Sequence, residues 1–418
     1  MDMLSCYRVL DLTDDKGYFC GKTLGDLGAD VIKVEPPGGD PGRKRGPFYH
    51  DIPDPEKSLY WFAFNTSKRG ITLDIEKAEG RQLFKELVKT ADVVLESFSP
   101  GYMDKLGLGY PALREVNEGV IMTAITPFGQ EGPYKDFKGP DIVASALGGT
   151  LYTVGDPDRP PLTATYPHAY TICSMHAVVG TLIALFHRSV IGRGQYIDAS
   201  AQIALHFTGS AEIEGSWEFH GITQQRHGRK RFAIRIKDDK NAFTPILWSC
   251  KDGNIGLNIQ LGPSGEKGNT ALVEWMKSEG HDIGRLGQWG FKTMDWSVLE
   301  SQEESDEIHD VLQSFFLKFT KEELFKKSAE IGLKMGISLT PKDMMTFPQL
   351  VDRGFFTEVD YPELGTTLTH PGSPTRFSDG AHGIKRRAPL IGEHNIEVYQ
   401  ELGLPVEELA VLKERGVI

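Results

Sequence analysis

Short apolar runs alternate with helical periodicities through the first half of the chain. Tyr7–Asp11 (YRVLD), Val31–Glu35, Ile71–Asp74, Ala91–Leu95 and Val120–Thr126 each read as a buried strand. A helix containing Thr23–Leu27 separates the first two strands, and a second, Ala78–Lys89, separates the next two. Strand, helix and strand within about 30 residues predict a βαβ unit, and hence a parallel sheet covered by helices. The glycines after the first strand do not form GxGxxG, which removes the main support for nicotinamide binding. Farther on, Ile172–Arg188 carries apolar residues at helical spacing: Val178, Val179, Leu182, Ile183, Leu185 and Phe186. The turn Gly192-Arg193-Gly194 stops this pattern before a short strand, Gln195–Ala199. A turn at Pro167-His168-Ala169-Tyr170 precedes the helix, so its free N–H groups and positive dipole end point at whatever lies there.

The second half is patterned differently. Phe243–Asn258 predicts strands around the turn Lys251-Asp252-Gly253-Asn254, followed by helices near Asn269–Ser278 and Lys321–Ile331. The polar, basic run from Gln224 to Arg231 reads as a connection.

Composition sets the outer bounds. With 418 residues, 39% apolar and 25% charged, the chain can bury a large core, and two domains are expected. A net charge of −12 excludes a broad nucleic-acid or anionic-membrane surface but allows a local basic pocket. Four cysteines, Cys6, Cys20, Cys173 and Cys250, lie far apart without CxxC spacing, which suggests neither disulfides nor a metal site. Reduced thiols, no run of 18 apolar residues and no secretory leader lead to the expectation of a soluble, cytoplasmic protein. The loop Pro36–Pro47 carries Arg43-Lys44-Arg45, which either receives phosphates or is a solvated charge cluster.

Several motifs narrow this reading. The segments GDLGADVIKVEPPGGDPGR, LESFSPGYMDKLGLGY, PFGQEGPYKDFKGPDIVASALGG, HRSVIGRGQYIDAS, FPQLVDRGFFTEVDYPELGT and APLIGEHNIEVYQELGL resemble the class III CoA-transferases. This resemblance implies an α/β fold: a Rossmann-like large domain with a parallel sheet, plus a smaller α+β domain, in a dimer interlinked like two rings. Residues 1–215 would begin the large domain, 216–340 would hold the linkers and small domain, and 341–418 would return to the large domain. The implied substrate is a coenzyme A thioester, with no covalently bound cofactor, no metal, no nucleic acid and no membrane partner.

The family's chemistry is covalent catalysis by an aspartate, which keeps each intermediate an activated acyl group. Counting from His187-Arg188 and Gly192-Arg193-Gly194-Gln195, the position of that aspartate is Tyr170. A phenol, with an ordinary pKa of about 10, cannot form an acyl anhydride or become a CoA thioester. No acidic residue lies between Asp158 and Asp198, and the nearest alternative nucleophiles are His168 and Cys173. The family's racemases would need a histidine in Lys138-Gly139-Pro140-Asp141, where Pro140 stands, and an aspartate at Tyr170. By resemblance, Lys105 and Lys138 match positions that meet CoA phosphates, and Leu73 and Phe98 match apolar contacts near the nucleotide. Ser97 stands where an asparagine is common and Glu76 where a lysine is common, and the glycine-rich loop near Gly262-Pro263-Ser264-Gly265 is interrupted. Together these changes imply weak or absent CoA binding by this chain. Two expectations follow. In the first, the chain is a catalytically silent subunit paired with a homologous, aspartate-bearing CoA-transferase chain. In the alternative, it is a self-sufficient homodimer, or another acyl-CoA enzyme, with a different nucleophile.

Overall fold

The computed structural model describes residues 2–209, 218, 221, 226, 228, 232–239, 241–257, 259, 265–287 and 299–418. The chain divides into two compact units. The first comprises Met1–Leu151, Thr163–Thr223 and Pro348–Ile418, and the second Tyr152–Leu162 and Gln224–Phe347. The chain leaves the large unit briefly at Tyr152, and its later crossings fall at Thr223/Gln224 and Phe347/Pro348 where 215/216 and 340/341 were expected. That excursion folds back on itself, with the Leu162 N–H donating to the Val154 carbonyl, and the Gly228 N–H reaches the Gly155 carbonyl at 2.9 Å.

The large unit runs through β1 (Arg8–Asp11), α1 (Tyr18–Asp26), β2 (Asp30–Glu35), α2 (Leu59–Asn65), β3 (Lys68–Thr72), α3 (Ala78–Lys89) and β4 (Val93–Glu96). It continues through α4 (Tyr102–Lys105), α5 (Tyr110–Val116), β5 (Ile121–Thr126), α6 (Asp141–Leu147), α7 (Thr150–Thr153), α8 (His168–Ile191), β6 (Tyr196–Ser200) and α9 (Ala201–Gly209). The six strands form one sheet in the order β3-β2-β1-β4-β5-β6, and every pair is parallel. Alternating side chains supply two cores. Leu10, Ile32 and Val94 face one layer with Phe84 and Leu87 of α3, and Val9, Val31 and Val93 face the other with Cys173 and Ala177 of α8.

β3 begins earlier than the predicted Ile71, because two cations at its start are neutralised inside the fold. The buried Lys68 ammonium meets Asp11 and the Asn65 side-chain carbonyl, each at 2.8 Å. Arg69 forks onto Asp30 and also binds Glu397 and Glu401. Burying these charges is tolerable only because each has its partners in place.

The C-terminal segment closes the large unit. Asn395 bonds Thr72 through both ends of its amide, and Tyr399 Oη donates to the Thr72 carbonyl at 2.7 Å. Arg43, buried, chelates Glu35 at 2.6 and 2.8 Å, stacks on Trp61 and donates to the Pro389 carbonyl. The basic loop is therefore divided in role: Arg43 is a core ion pair, and Arg45 lies at the surface.

In the second unit, β7 (Phe232–Arg235) pairs with β8 (Asn241–Thr244). β9 (Leu247–Cys250), β10 (Gly253–Leu257) and β11 (Met335–Ile337) form a separate antiparallel sheet. The expected strands around Lys251–Asn254 and the helix Lys321–Ile331 are present, and the other helix extends over Glu266–Ser278. The basic run 224–231 lies largely outside the described residues, as does most of 262–265.

Candidate active site

A strand order that runs outward both ways from β1 and β4 leaves a crevice outside their carboxyl ends, where α/β sheets take their ligands. Two cavities lie there. The first, of about 600 Å³, is lined by Asp14–Lys16 after β1, Ser97–Pro100 after β4, Pro127 after β5, Lys135–Asp141, and Pro167 and Tyr170 at the start of α8. The second, of about 560 Å³, lies over β2 and β3, and both cavities contain Asp14, Ser97 and Phe98.

Local chemistry shapes the walls. The Asp11 carboxylate accepts from the Thr13 N–H and hydroxyl, turning the chain after β1 toward Asp14. Asp14 and Ser97 then clasp each other: the Asp14 N–H donates to Ser97 Oγ, and Ser97 Oγ donates to the Asp14 carboxylate, each at 2.8 Å. Lys16 pairs with Asp14, and Arg45 pairs with Asp15 at 3.0 Å. Lys135 and Lys138 at the exposed rim are bonded to no described side chain, so they are the cations open to a ligand in the first cavity.

α8 starts earlier than the predicted Ile172: His168, Ala169 and Tyr170 form its first turn, behind Pro167. Tyr170 is buried, and its hydroxyl donates to the Gly139 backbone carbonyl. Burial first, then the negative charge of Asp14, raises its phenol well above the usual tyrosine range. The Tyr170 N–H, one of the free donors at the helix start, is taken by the Asp141 carboxylate at 3.2 Å. The sequence placed an open oxyanion-binding helix end here, and the structure fills one of its donors with an internal acid. Asp141 itself lines the cavity. Cys173 is fully buried outside the lining, its thiol pushed up to about 12 by burial, and His168 packs against Tyr166.

The second cavity differs in charge. Leu73 and Phe98 give it apolar walls, and Asp14, Glu35, Asp40, Asp74 and Glu76 supply five carboxylates with no lysine, arginine or histidine in the lining. Glu76 accepts from Tyr102 Oη at 2.8 Å. Lys77, the nearby cation, donates to the carbonyls of Arg415 and Gly416 and stands 3.8 Å from the Asp74 carboxylate.

The structure thus gathers Leu73, Ser97 and Phe98 at one cavity, places Lys138 on the rim of the other, and leaves Lys105 exposed on α4, lining neither. Sequence reasoning passed over Asp14, Lys16, Lys135 and Asp141. The signals were present in the loop after YRVLD and in KDFKGPD, whose acid was read only as the neighbour of a missing histidine.

A six-stranded parallel α/β sheet with a switch-point crevice defines the class: an α/β protein that takes its ligand beyond the strand ends. Residues 4–395 match the family model for CoA-transferase family III, and the chain belongs to that family. It is 33% identical to the succinyl-CoA:(R)-benzylsuccinate CoA-transferase subunit BbsE of Thauera aromatica, covering 99% of this chain and 98% of the relative. It is 32% identical to a formyl-CoA:oxalate CoA-transferase of Streptomyces avermitilis, with 98% of both chains covered. A CAIB/BAIF family protein from Brucella suis superposes with a TM-score of 0.80 at 29% identity, over 95% of this chain and 98% of that one. The substrate of the family is accordingly a coenzyme A thioester.

Proposed function

We propose that this chain is a catalytically silent subunit of a cytoplasmic class III CoA-transferase, interlinked with a homologous chain that carries the nucleophilic aspartate. The complex moves CoA from an acyl-CoA donor such as succinyl-CoA to a carboxylic acid. The observation that carries the reading is Tyr170. At the helix start where the family's resemblance expects the nucleophile, this side chain is buried, neutral and committed to the Gly139 carbonyl. A phenol so held neither attacks a thioester nor exchanges acyl groups as a carboxylate does. Glu76, which among the described residues has no cation partner in the second cavity, would repel a nucleotide phosphate there and supports the same reading. So does the similarity to a subunit of a benzylsuccinate enzyme, which makes an aromatic dicarboxylate of anaerobic toluene degradation the acceptor to try first.

One observation favours a second reading, a self-sufficient homodimer. Asp141 places a carboxylate in the same cavity, 3.2 Å from the Tyr170 N–H. Its attack on a thioester carbonyl would expel CoA thiolate and leave an acyl-aspartyl anhydride. Return of the thiolate to the aspartyl carbonyl would then release the donor acid.

One assay separates the two. The chain is purified alone and with a homologous aspartate-bearing partner, and CoA transfer from succinyl-CoA to benzylsuccinate is followed. Activity only in the mixture, unchanged by Asp141→Asn in this chain, is expected. Full activity of the chain alone, abolished by Asp141→Asn and retained in Tyr170→Phe, would overturn the silent-subunit reading.

A further inference from the structure

We propose that a pocket in the C-terminal part of the large unit, apart from the crevice, binds a small oxyanion, a phosphate or a carboxylate. It lies where the helix Pro348–Asp352 meets the hairpin of β12 (Phe356–Tyr361) and β13 (Thr366–Pro371), with a volume of about 290 Å³. Arg353, Arg376 and His382 line it, and no acidic side chain does. Nη2 of Arg376 stands 3.6 Å from the point that a Cβ on Gly354 would occupy. Gly354, at φ +58°, ends the preceding helix in a left-handed turn and leaves that space open beside Arg376.

The charge balance is the reason to expect a ligand. Elsewhere in the large unit, Arg8, Arg43, Arg69, Arg188 and Arg387 each bind a carboxylate. Among the described residues, the side chains of Arg353 and Arg376, like those of Arg114 and Arg193, have neither an ion pair nor a hydrogen-bond partner, and Arg353 and Arg376 share one cavity. Thr357 also lines the pocket, and its hydroxyl donates to no described group. His382 engages the Gly380 carbonyl only through Nδ1, at 3.5 Å, which leaves Nε2 unused. Two guanidinium forks beside a hydroxyl and an imidazole match the planar, multi-acceptor geometry of a carboxylate or phosphate. The inference is independent of which chain carries the nucleophile.

The test is calorimetric titration of the full chain with inorganic phosphate and with succinate, at ionic strength held constant by sodium chloride. Saturable binding of at least one is expected, and the tighter of the two identifies the anion as phosphoryl or carboxylate. Arg353→Gln and Arg376→Gln, both at exposed positions, should each weaken it about tenfold or more without lowering the melting temperature. Lys138→Gln, on the rim of the crevice, should leave it unchanged. No saturable binding of either anion, undiminished binding in both arginine variants, or a loss confined to Lys138→Gln would overturn the proposal.

Discussion

Tyr170 ties the start of α8 to the neighbouring wall of the crevice. Its hydroxyl makes a structural clamp between α8 and the loop at Gly139. Tyr170→Phe should therefore lower stability by about 1–3 kcal/mol, since it strands a buried carbonyl. Denaturant unfolding measures that loss, and transferase activity of the assembled complex should be unaffected. Glu96 makes a different contribution. Burial raises its carboxyl to about 7, despite the Phe98 N–H that it accepts. The folded protein thus holds a proton that the unfolded chain releases near 4.5, so this group costs stability as pH rises from about 4.5 to 7. The full cost above pH 7 is of order 3 kcal/mol. Glu96→Gln should erase that slope: the variant should match the parent near pH 4.5 and unfold at higher denaturant than it at pH 8. Equal midpoints at pH 8 would mean that Glu96 is already comfortably ionised in the fold.

At the scale of elements, β4 and β5 were legible because each is a largely apolar run buried on both faces, and α3 was legible to the residue from its period. β3 was displaced because Lys68 and Arg69 look like loop residues until their partners, distant in sequence, are in place. α8 was found but shortened at its start, because His168-Ala169-Tyr170 carries no side-chain cap and its first turn is held from outside by Asp141. Its end was plain: Gly192 sits at φ 76° and sends its N–H back to the Arg188 carbonyl. Gly192→Ala has open space for its methyl but not the conformation, so it should cost roughly 1–2 kcal/mol. Thermal unfolding reads this directly, and Gly192→Asn, which tolerates the left-handed region, should lose less. The site was less legible than the elements. Leu73, Ser97 and Phe98 follow strands, where a motif fixes position, whereas Lys138 rides the loop before α6, and Asp141 opens α6, where their place depends on packing against α8.

For the whole molecule, the same helix carries the information about assembly. The sequence reads its apolar residues as a single stripe, yet the structure divides them. Val178 and Leu185 are buried against the sheet, and Val179, Ile183, Phe186 and Val190 face outward, with Phe186 75% and Val190 72% exposed. Ile203 and Phe207 of α9, which packs on α8, extend that outer surface. A helix apolar on all sides is expected to be covered on all sides, and an exposed face of this kind marks an interaction surface. In the proposed complex the cover is the aspartate-bearing homologue, whose own helix at this place would present the same periodicity. The pair Phe186→Glu and Val190→Glu tests this, because both positions are already in solvent in the single chain and need no repacking to accept a carboxylate. The double variant should keep the circular dichroism and melting temperature of the isolated chain, yet fail to co-purify with its partner and elute at the monomer mass in light scattering. Transferase activity of the mixture should fall with the lost assembly. If the assembled mass persists with both glutamates in place, the outer face of α8 is not the contact, and the partner must dock elsewhere on the unit.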